Sequence, residues 1–315
     1  MLFLPVVIGI AVGILLPIQT SVNTKLSDRM GSSFGSTLVS FIISGIMCLV
    51  LVLAFNHSPV MGFGALTQDP AWVWLSGIFG VICVAGSIVA MPHIGSVQTV
   101  IMTVLGMLVT GLIIDHFSLF YSLQNPLTAA RVIGAVIVLA GVLIVVAMGK
   151  KTSQNASFDE AGKSHVLRQW LFRLVAICAG VASACQTAVN GYVGAVLASP
   201  FKAALLANIV GIVFLIILIL ATRSRFQIRN QSNTRFPWWI WLGGIIGTIF
   251  MVGNVYLAQT IGTGMAVILT LIGQMGGSLV LDTAGLLGVS KKALTPNRII
   301  GLVVMIVGAS IIQML

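Results

Sequence analysis

The chain has 315 residues, of which 58% are hydrophobic and 7% charged, with a formal net charge of +10. An average soluble domain carries roughly 25% charged residues, so this composition excludes a soluble globular protein, a disordered chain and a secreted disulfide scaffold. The apolar runs are long and continuous, which also excludes the alternating strands of an outer-membrane barrel.

A helical crossing needs about 20 predominantly apolar residues, and the sequence predicts ten such runs. The first, 3–24, has no basic segment before it and no small-residue cleavage site after it, so it reads as a retained span and not a removed signal peptide. Its C-terminal half carries Gln19 and Asn23, four residues apart and so on one helix face. A second run covers 34–55. The third, 71–91, opens with Trp72 and Trp74, the kind of residue that anchors a span at the interface. The stretch Met91-Pro92-His93-Ile94-Gly95 predicts a tight turn into the fourth run, 96–114, which ends at Asp115. The fifth run, 128–148, opens near Arg131, and the polar stretch 150–165 reads as a surface linker. Runs six to ten follow at 170–192, 201–222, 237–257, 264–281 and 297–315. They contain Gln186 and Asn190, then Asn208, then Asn254, then Gln274 with Asp282 at the end of the ninth run, and Arg298 at the start of the tenth.

Shifting the chain by 167 residues aligns its halves without a gap. Gln19, Thr20, Val22 and Asn23 fall on Gln186, Thr187, Val189 and Asn190. Trp72, Trp74, Gly95, Gly106, Asp115, Arg131, Gly134 and Gly141 fall on Trp239, Trp241, Gly262, Gly273, Asp282, Arg298, Gly301 and Gly308. The chain therefore divides into a first repeat, 1–148, a polar cytoplasmic linker, 149–167, and a second repeat, 168–315. Five spans per copy is an odd number, so the second copy enters the membrane upside down, an architecture used by many secondary transporters. The expected fold is an all-α polytopic membrane protein with ten transmembrane helices in two inverted five-helix repeats.

In the ten-span reading, 14 of the 16 basic residues fall on one side, and only Arg131 and Lys202 on the other. Excess Lys and Arg marks cytoplasmic loops, so both termini are expected outside the cytoplasm. The net charge is then a topology signal, and no nucleic-acid partner is expected.

Polar residues inside apolar runs are the informative ones, because an amide facing lipid is costly. Gln19, Asn23, Gln186, Asn190, Asn208, Asn254 and Gln274 are the candidate substrate-binding residues; interhelical hydrogen bonding is the alternative use of each. Asn208 and Gln274 have the apolar counterparts Phe41 and Met107 in the first copy. His93, Asp115 and Asp282 are candidates for coupling, although Asp115 and Asp282 are placed to form ion pairs with Arg131 and Arg298. Gly9 and Gly13, Gly31 and Gly35, and Gly273 and Gly277 have the spacing of close helix contacts. Cys48, Cys83, Cys178 and Cys185 lack ligand spacing and read as packing residues. No catalytic motif or phosphate-binding loop occurs, so an enzyme is not expected, nor a cofactor or metal.

Gly13 with Gln19-Thr20-Ser21-Val22-Asn23 and Gly31-Ser32-Ser33, repeated as Gly180 with Gln186-Thr187-Ala188-Val189-Asn190, resembles the drug/metabolite transporter superfamily. Its YdcZ-like branch, in the fused ten-helix form, is the nearer match, and the resemblance covers the chain outside the linker. It implies a carrier of the cell (inner) membrane, commonly an exporter of small metabolites or drugs. Small multidrug members of the superfamily use a glutamate in the first helix; 3–24 and 170–192 contain no acid, which departs from that route of proton coupling. The partners expected are a small-molecule substrate and the lipid bilayer, with the chain a monomer or a homodimer. A flippase for a lipid-linked substrate and a non-transporting membrane scaffold are the alternatives.

Overall fold

In hydrocarbon every backbone N–H and C=O must find its partner within the protein, and a helix does this within one segment. The computed structural model describes residues 3–56, 63–147, 160–222, 237–288 and 296–314, and among these it contains helices and no strands. We number the principal helices α1 (Phe3–Met30), α2 (Ser33–Asn56), α3 (Ala71–Gly95), α4 (Gln98–Phe117), α5 (Ala129–Ala147), α6 (Glu160–Val196), α7 (Pro200–Thr222), α8 (Gly243–Ile261), α9 (Thr263–Ala284) and α10 (Pro296–Met314). Eight of them are long and apolar enough to cross a membrane, while α5 and α10 contain shorter apolar stretches, Ala129–Gly141 and Ile299–Ile312.

Several boundaries run past the apolar runs. Helix α1 continues to Met30 and α6 starts at Glu160, because helical hydrogen bonding does not stop where the sequence becomes polar. The second part of the segment 149–167 is thus helix, and residues 148–159 lie outside the described residues. Helices α3 and α4 form one helical stretch broken at Gly95, whose φ of 80° and ψ of 164° are accessible to glycine alone. Gly262, its image 167 residues later, has φ 82° and ψ 162° and joins α8 to α9 in the same way. Gly31 is a different case from the other paired glycines: its φ of 65° puts it in the turn after α1, not in a helix contact.

The glycine contacts fix helix directions. Gly134 meets Gly308 and Gly141 meets Gly301, so α5 and α10 run antiparallel. Since α10 is the repeat image of α5, the axis relating the halves crosses these helices, and the second repeat is inverted. The closest backbone crossings come in images. A Cβ on Gly13 would stand 2.2 Å from the Thr270 carbonyl oxygen, and one on Gly180 2.0 Å from that of Thr103. Likewise a Cβ on Gly273 would stand 2.1 Å from the Ile10 carbonyl oxygen, and one on Gly106 2.2 Å from that of Ile177. The two seams α1–α9 and α4–α6 therefore depend on bare backbone at the crossing, which lipid-embedded helices use in place of a hydrophobic drive. Outward faces are apolar, as with Ile46, Leu53, Ile217 and Leu220, while buried positions collect amides and hydroxyls.

Candidate functional site

All seven candidate amides are buried: Gln19, Asn23, Gln186, Asn190, Asn208, Asn254 and Gln274 are each 8% exposed or less. Three of them, Gln19, Gln186 and Asn208, line one small cavity of about 30 Å³ between α1, α2, α3, α6, α7 and α8. Its wall is built from repeat-related pairs. Gln19 faces with Gln186, Phe41 with Asn208, Cys83 with Phe250 and Val84 with Met251, each pair separated by 167 residues. The pseudo-twofold axis therefore passes through this cavity. It passes again between Met107 and Gln274, whose Nε2 lies 3.6 Å from the Met107 sulfur.

Each glutamine lies against a helix with no side chain beneath it. A Cβ on Gly247 would stand 2.5 Å from Gln19 Nε2, and one on Gly80 2.5 Å from Gln186 Nε2. Asn23 is held through Oδ1, which accepts from the Ser40 hydroxyl at 2.6 Å, and it packs on Gly243. Asn208 donates to the Ala204 carbonyl at 2.9 Å, a bond to its own helix, with the Cys48 sulfur at 3.6 Å. Asn254 donates to the Phe250 carbonyl at 2.9 Å in the same manner. Gln274 lines a second cavity of about 20 Å³ with Pro17, Thr20, Ser87, Met91, Thr99 and Thr103, toward the Gly95 turn. Asn23, Asn190 and Asn254 line neither cavity.

Polar atoms here outnumber their partners. Gln19 Oε1, Asn23 Nδ2, Asn190 Oδ1 and Asn254 Oδ1 are buried without a hydrogen bond, as are the hydroxyls of Ser76, Thr103 and Ser183. A buried polar group left without any partner costs about 1–3 kcal/mol, so these atoms are the ones that a water or a ligand would satisfy. The hydroxyls and the glycines under Gln19 and Gln186 were not singled out in the sequence; the 167-residue offset, applied to Gly80 and Gly247, was the signal that could have found the glycines.

The three coupling candidates lie apart from both cavities. His93 is exposed beside the Gly95 turn, stacked on Phe172 at 3.6 Å with Nδ1 3.0 Å from the Val89 carbonyl. The Asp115 side chain is fully buried, accepting from the Gly264 backbone N–H at 3.1 Å, with Arg131 Nη2 at 3.7 Å. Arg131 in turn donates to the Asn125 carbonyl at 2.8 Å. This arrangement ties the end of α4 to the start of α9 and the α4–α5 connection. Asp282, the repeat image of Asp115, is equally buried. Among the described residues no cluster of His, Cys, Asp or Glu could hold a metal ion.

A separate feature is an apolar groove of about 470 Å³ between α1, α2, α7 and α8, lined by Val12, Met47, Leu51, Phe201, Val252 and Tyr256 among others. Its inner edge is Thr248, whose hydroxyl donates to Ser44 Oγ at 2.9 Å, and Ser44 also lines the central cavity.

Comparison with known proteins agrees with this architecture. The family profile described as "Putative inner membrane exporter, YdcZ" matches twice, at residues 4–144 and 171–311. A solved crystal structure is similar over 97% of this chain and 97% of its own, with a TM-score of 0.62 and 16% sequence identity. At that identity the likeness shows the fold. No curated protein matches the chain.

Proposed function

This chain belongs to the YdcZ family of the drug/metabolite transporter type, in a fused two-repeat form, and from that premise we propose that it is a secondary transporter exporting small molecules by alternating access. The observation that carries the proposal is the convergence of Gln19 and Gln186, one from each repeat, on a single cavity crossed by the pseudo-twofold axis. Secondary transporters place their substrates at such repeat interfaces near the bilayer midplane. In this reading all ten helices cross the membrane, with the halves rocking about the cavity and both termini outside the cytoplasm.

The cavity holds one or two waters at most, so the conformation described is a closed one. Opening would part the halves along the α1–α9 and α4–α6 seams, exposing the unpartnered amides of Gln19, Asn23 and Asn190. These groups are uncharged, which suits a neutral, zwitterionic or amphipathic substrate over a strongly charged one. A ligand thermal-shift screen on the purified protein, followed by flux of the hits in proteoliposomes, tests the proposal. Wild-type flux in Gln19→Ala, Asn23→Ala and Asn190→Ala would remove these residues from the site.

One observation favours a second reading. The groove between α1, α2, α7 and α8 is apolar and ends one hydrogen bond from Ser44, which lines the central cavity. A flippase for a lipid-linked substrate would use such a groove for the tail. Flux of water-soluble hits, unaffected by filling the groove with Gly253→Leu, argues for the first reading.

A further inference from the structure

The face of the bundle at which α3 begins, and α4 and α6 end, carries a group of residues that the central site does not use. Trp72, Tyr121 and Tyr192 form a three-sided aromatic cluster. Their ring centroids are 5.6 Å apart for Trp72–Tyr121, 5.2 Å for Trp72–Tyr192 and 5.2 Å for Tyr121–Tyr192, with interplanar angles of 51°, 56° and 42°. Phe120 closes the base, edge-on to Trp72 at 5.3 Å. Beside the cluster stands Asp69, which accepts from the Tyr192 hydroxyl at 2.8 Å through Oδ1. Its second carboxylate oxygen is buried without a hydrogen bond.

Three facts separate this cluster from ordinary packing. First, Tyr121 is 65% exposed although it touches both other rings, so its ring can turn aside and uncover their faces. Second, Ser118, Phe120 and Tyr121 have φ of 51°, 58° and 54°. The second repeat shares this turn at Gly285 and Leu287, with φ of 63° and 54°, yet only the first copy carries an aromatic ring at its third position, Tyr121 against Gly288. Third, the cluster is not inherited from the duplication. The residues 167 positions away are Phe236, Trp239, Gly288 and Lys25, which keep the tryptophan but contain no acid and place a lysine where Tyr192 stands. The fold was built twice, and the rings with their carboxylate only once.

Aromatic faces attract cations through the ring quadrupole, with tryptophan the strongest, and a carboxylate oxygen without a donor adds the counter-charge. Local charge agrees: of the two basic residues on this face, Arg131 is committed to Asp115 and the Asn125 carbonyl. We propose that Trp72, Tyr121, Tyr192 and Asp69 form a binding site for an organic ammonium cation at this face of the bundle, with the Tyr121 ring as its movable wall. The site is distinct from the central cavity and stands whether or not the proposed transport reading holds.

The test uses the purified full-length protein and two probes of one shape: choline chloride, and 3,3-dimethyl-1-butanol, its uncharged counterpart. Saturable thermal stabilisation by choline, with none by the alcohol at equal concentration, is expected. Trp72→Leu and Asp69→Asn should each weaken the apparent choline affinity at least about tenfold, while Gln19→Ala with Gln186→Ala leaves it unchanged. Asp69→Asn retains an acceptor for Tyr192, so its melting temperature without ligand should stay at the wild-type value. Trp72→Phe reads the same effect more weakly if Trp72→Leu fails to fold. The proposal is overturned by no response to choline, by an equal response to the alcohol, or by full choline affinity in Asp69→Asn. A choline response lost on changing the two glutamines but kept in Asp69→Asn would place the cation at the centre and also overturn it.

Discussion

Alanine at Gly13 tests the seam on which the two halves meet. Its Cβ would lie 2.2 Å from the Thr270 carbonyl oxygen and 2.9 Å from the Gly273 Cα, where ordinary contact begins at 3.4 Å. Both obstacles are backbone, so no side chain can rotate away and α1 must move off α9 by about 1 Å. Overpacking of this kind costs about 1–3 kcal/mol, and a backbone obstacle puts Gly13 at the upper end of that range. Replacing a mid-helix glycine by alanine returns about 0.5–1 kcal/mol, leaving a net loss of about 2 kcal/mol. Gly276, on the same seam helix α9, has nothing within 4 Å of its added Cβ. Gly276→Ala should therefore collect only the helix gain and stabilise by about 0.5–1 kcal/mol. The midpoint of denaturant-induced unfolding in mixed micelles reads both variants against wild type. Gly180→Ala, at the symmetry-related crossing, should behave as Gly13→Ala does. Equal midpoints for Gly13→Ala and Gly276→Ala would refute the claim that the seam needs bare backbone.

Further outcomes follow from the same geometry. Gly80→Ala and Gly247→Ala each displace a glutamine amide from the central cavity, so substrate affinity in proteoliposome flux should fall about threefold to tenfold, one hydrogen bond's worth. Arg131→Ala leaves the buried Asp115 carboxylate without its cation and should lower stability by about 3–5 kcal/mol. Pairing Asp115→Asn with Arg131→Met should recover most of that loss in thermal unfolding, and failure to recover would mean that Arg131 acts through the Asn125 carbonyl instead. In a cysteine-free background, a single cysteine at Ser153 should resist an impermeant thiol reagent in intact cells; labelling there would reverse the assigned orientation.

Much of the architecture was legible because the duplication is ungapped. One offset of 167 links Gly95 to Gly262, and the structure gives these two glycines nearly the same backbone angles. Burial of the seven amides was legible too, since hydrocarbon offers them no partner. What the sequence could not show was which of them meet. Gln19 and Asn23 share a face of α1, yet Gln19 lines the central cavity while Asn23 turns to Ser40 on α2. That division depends on how α1 crosses α2 and α8, which no periodicity encodes. The contacts of Trp72 were hidden for a related reason. A tryptophan at a span end is ordinarily an interfacial anchor, and its partners Tyr121 and Tyr192 come from a connection and from another repeat. The string Ser118-Leu119-Phe120-Tyr121 contains no glycine, and the hint of its left-handed turn lies 167 residues on, in Gly285, whose φ is 63°.

The pairs that break the symmetry define what the duplicated frame is for. If the halves were identical, the pseudo-twofold operation would exchange two conformations of equal energy, one open to each side of the membrane. The chain keeps its repeat partners alike where helices touch backbone to backbone: Gly13 with Gly180, Gly106 with Gly273, Gly134 with Gly301 and Gly141 with Gly308. At the axis it keeps Gln19 and Gln186 alike but makes other pairs differ, with Phe41 opposing Asn208, Met107 opposing Gln274 and Cys83 opposing Phe250. In the proposed alternating-access cycle the like glycines would let the two symmetry-related seams part and close equivalently, while the unlike lining pairs would be free to favour one conformation. A ligand shifts such an equilibrium only by its differential affinity for the two states. In the proposed transport cycle Asn208 and Gln274 would supply that difference, because each offers an amide where its repeat partner offers a ring or a thioether.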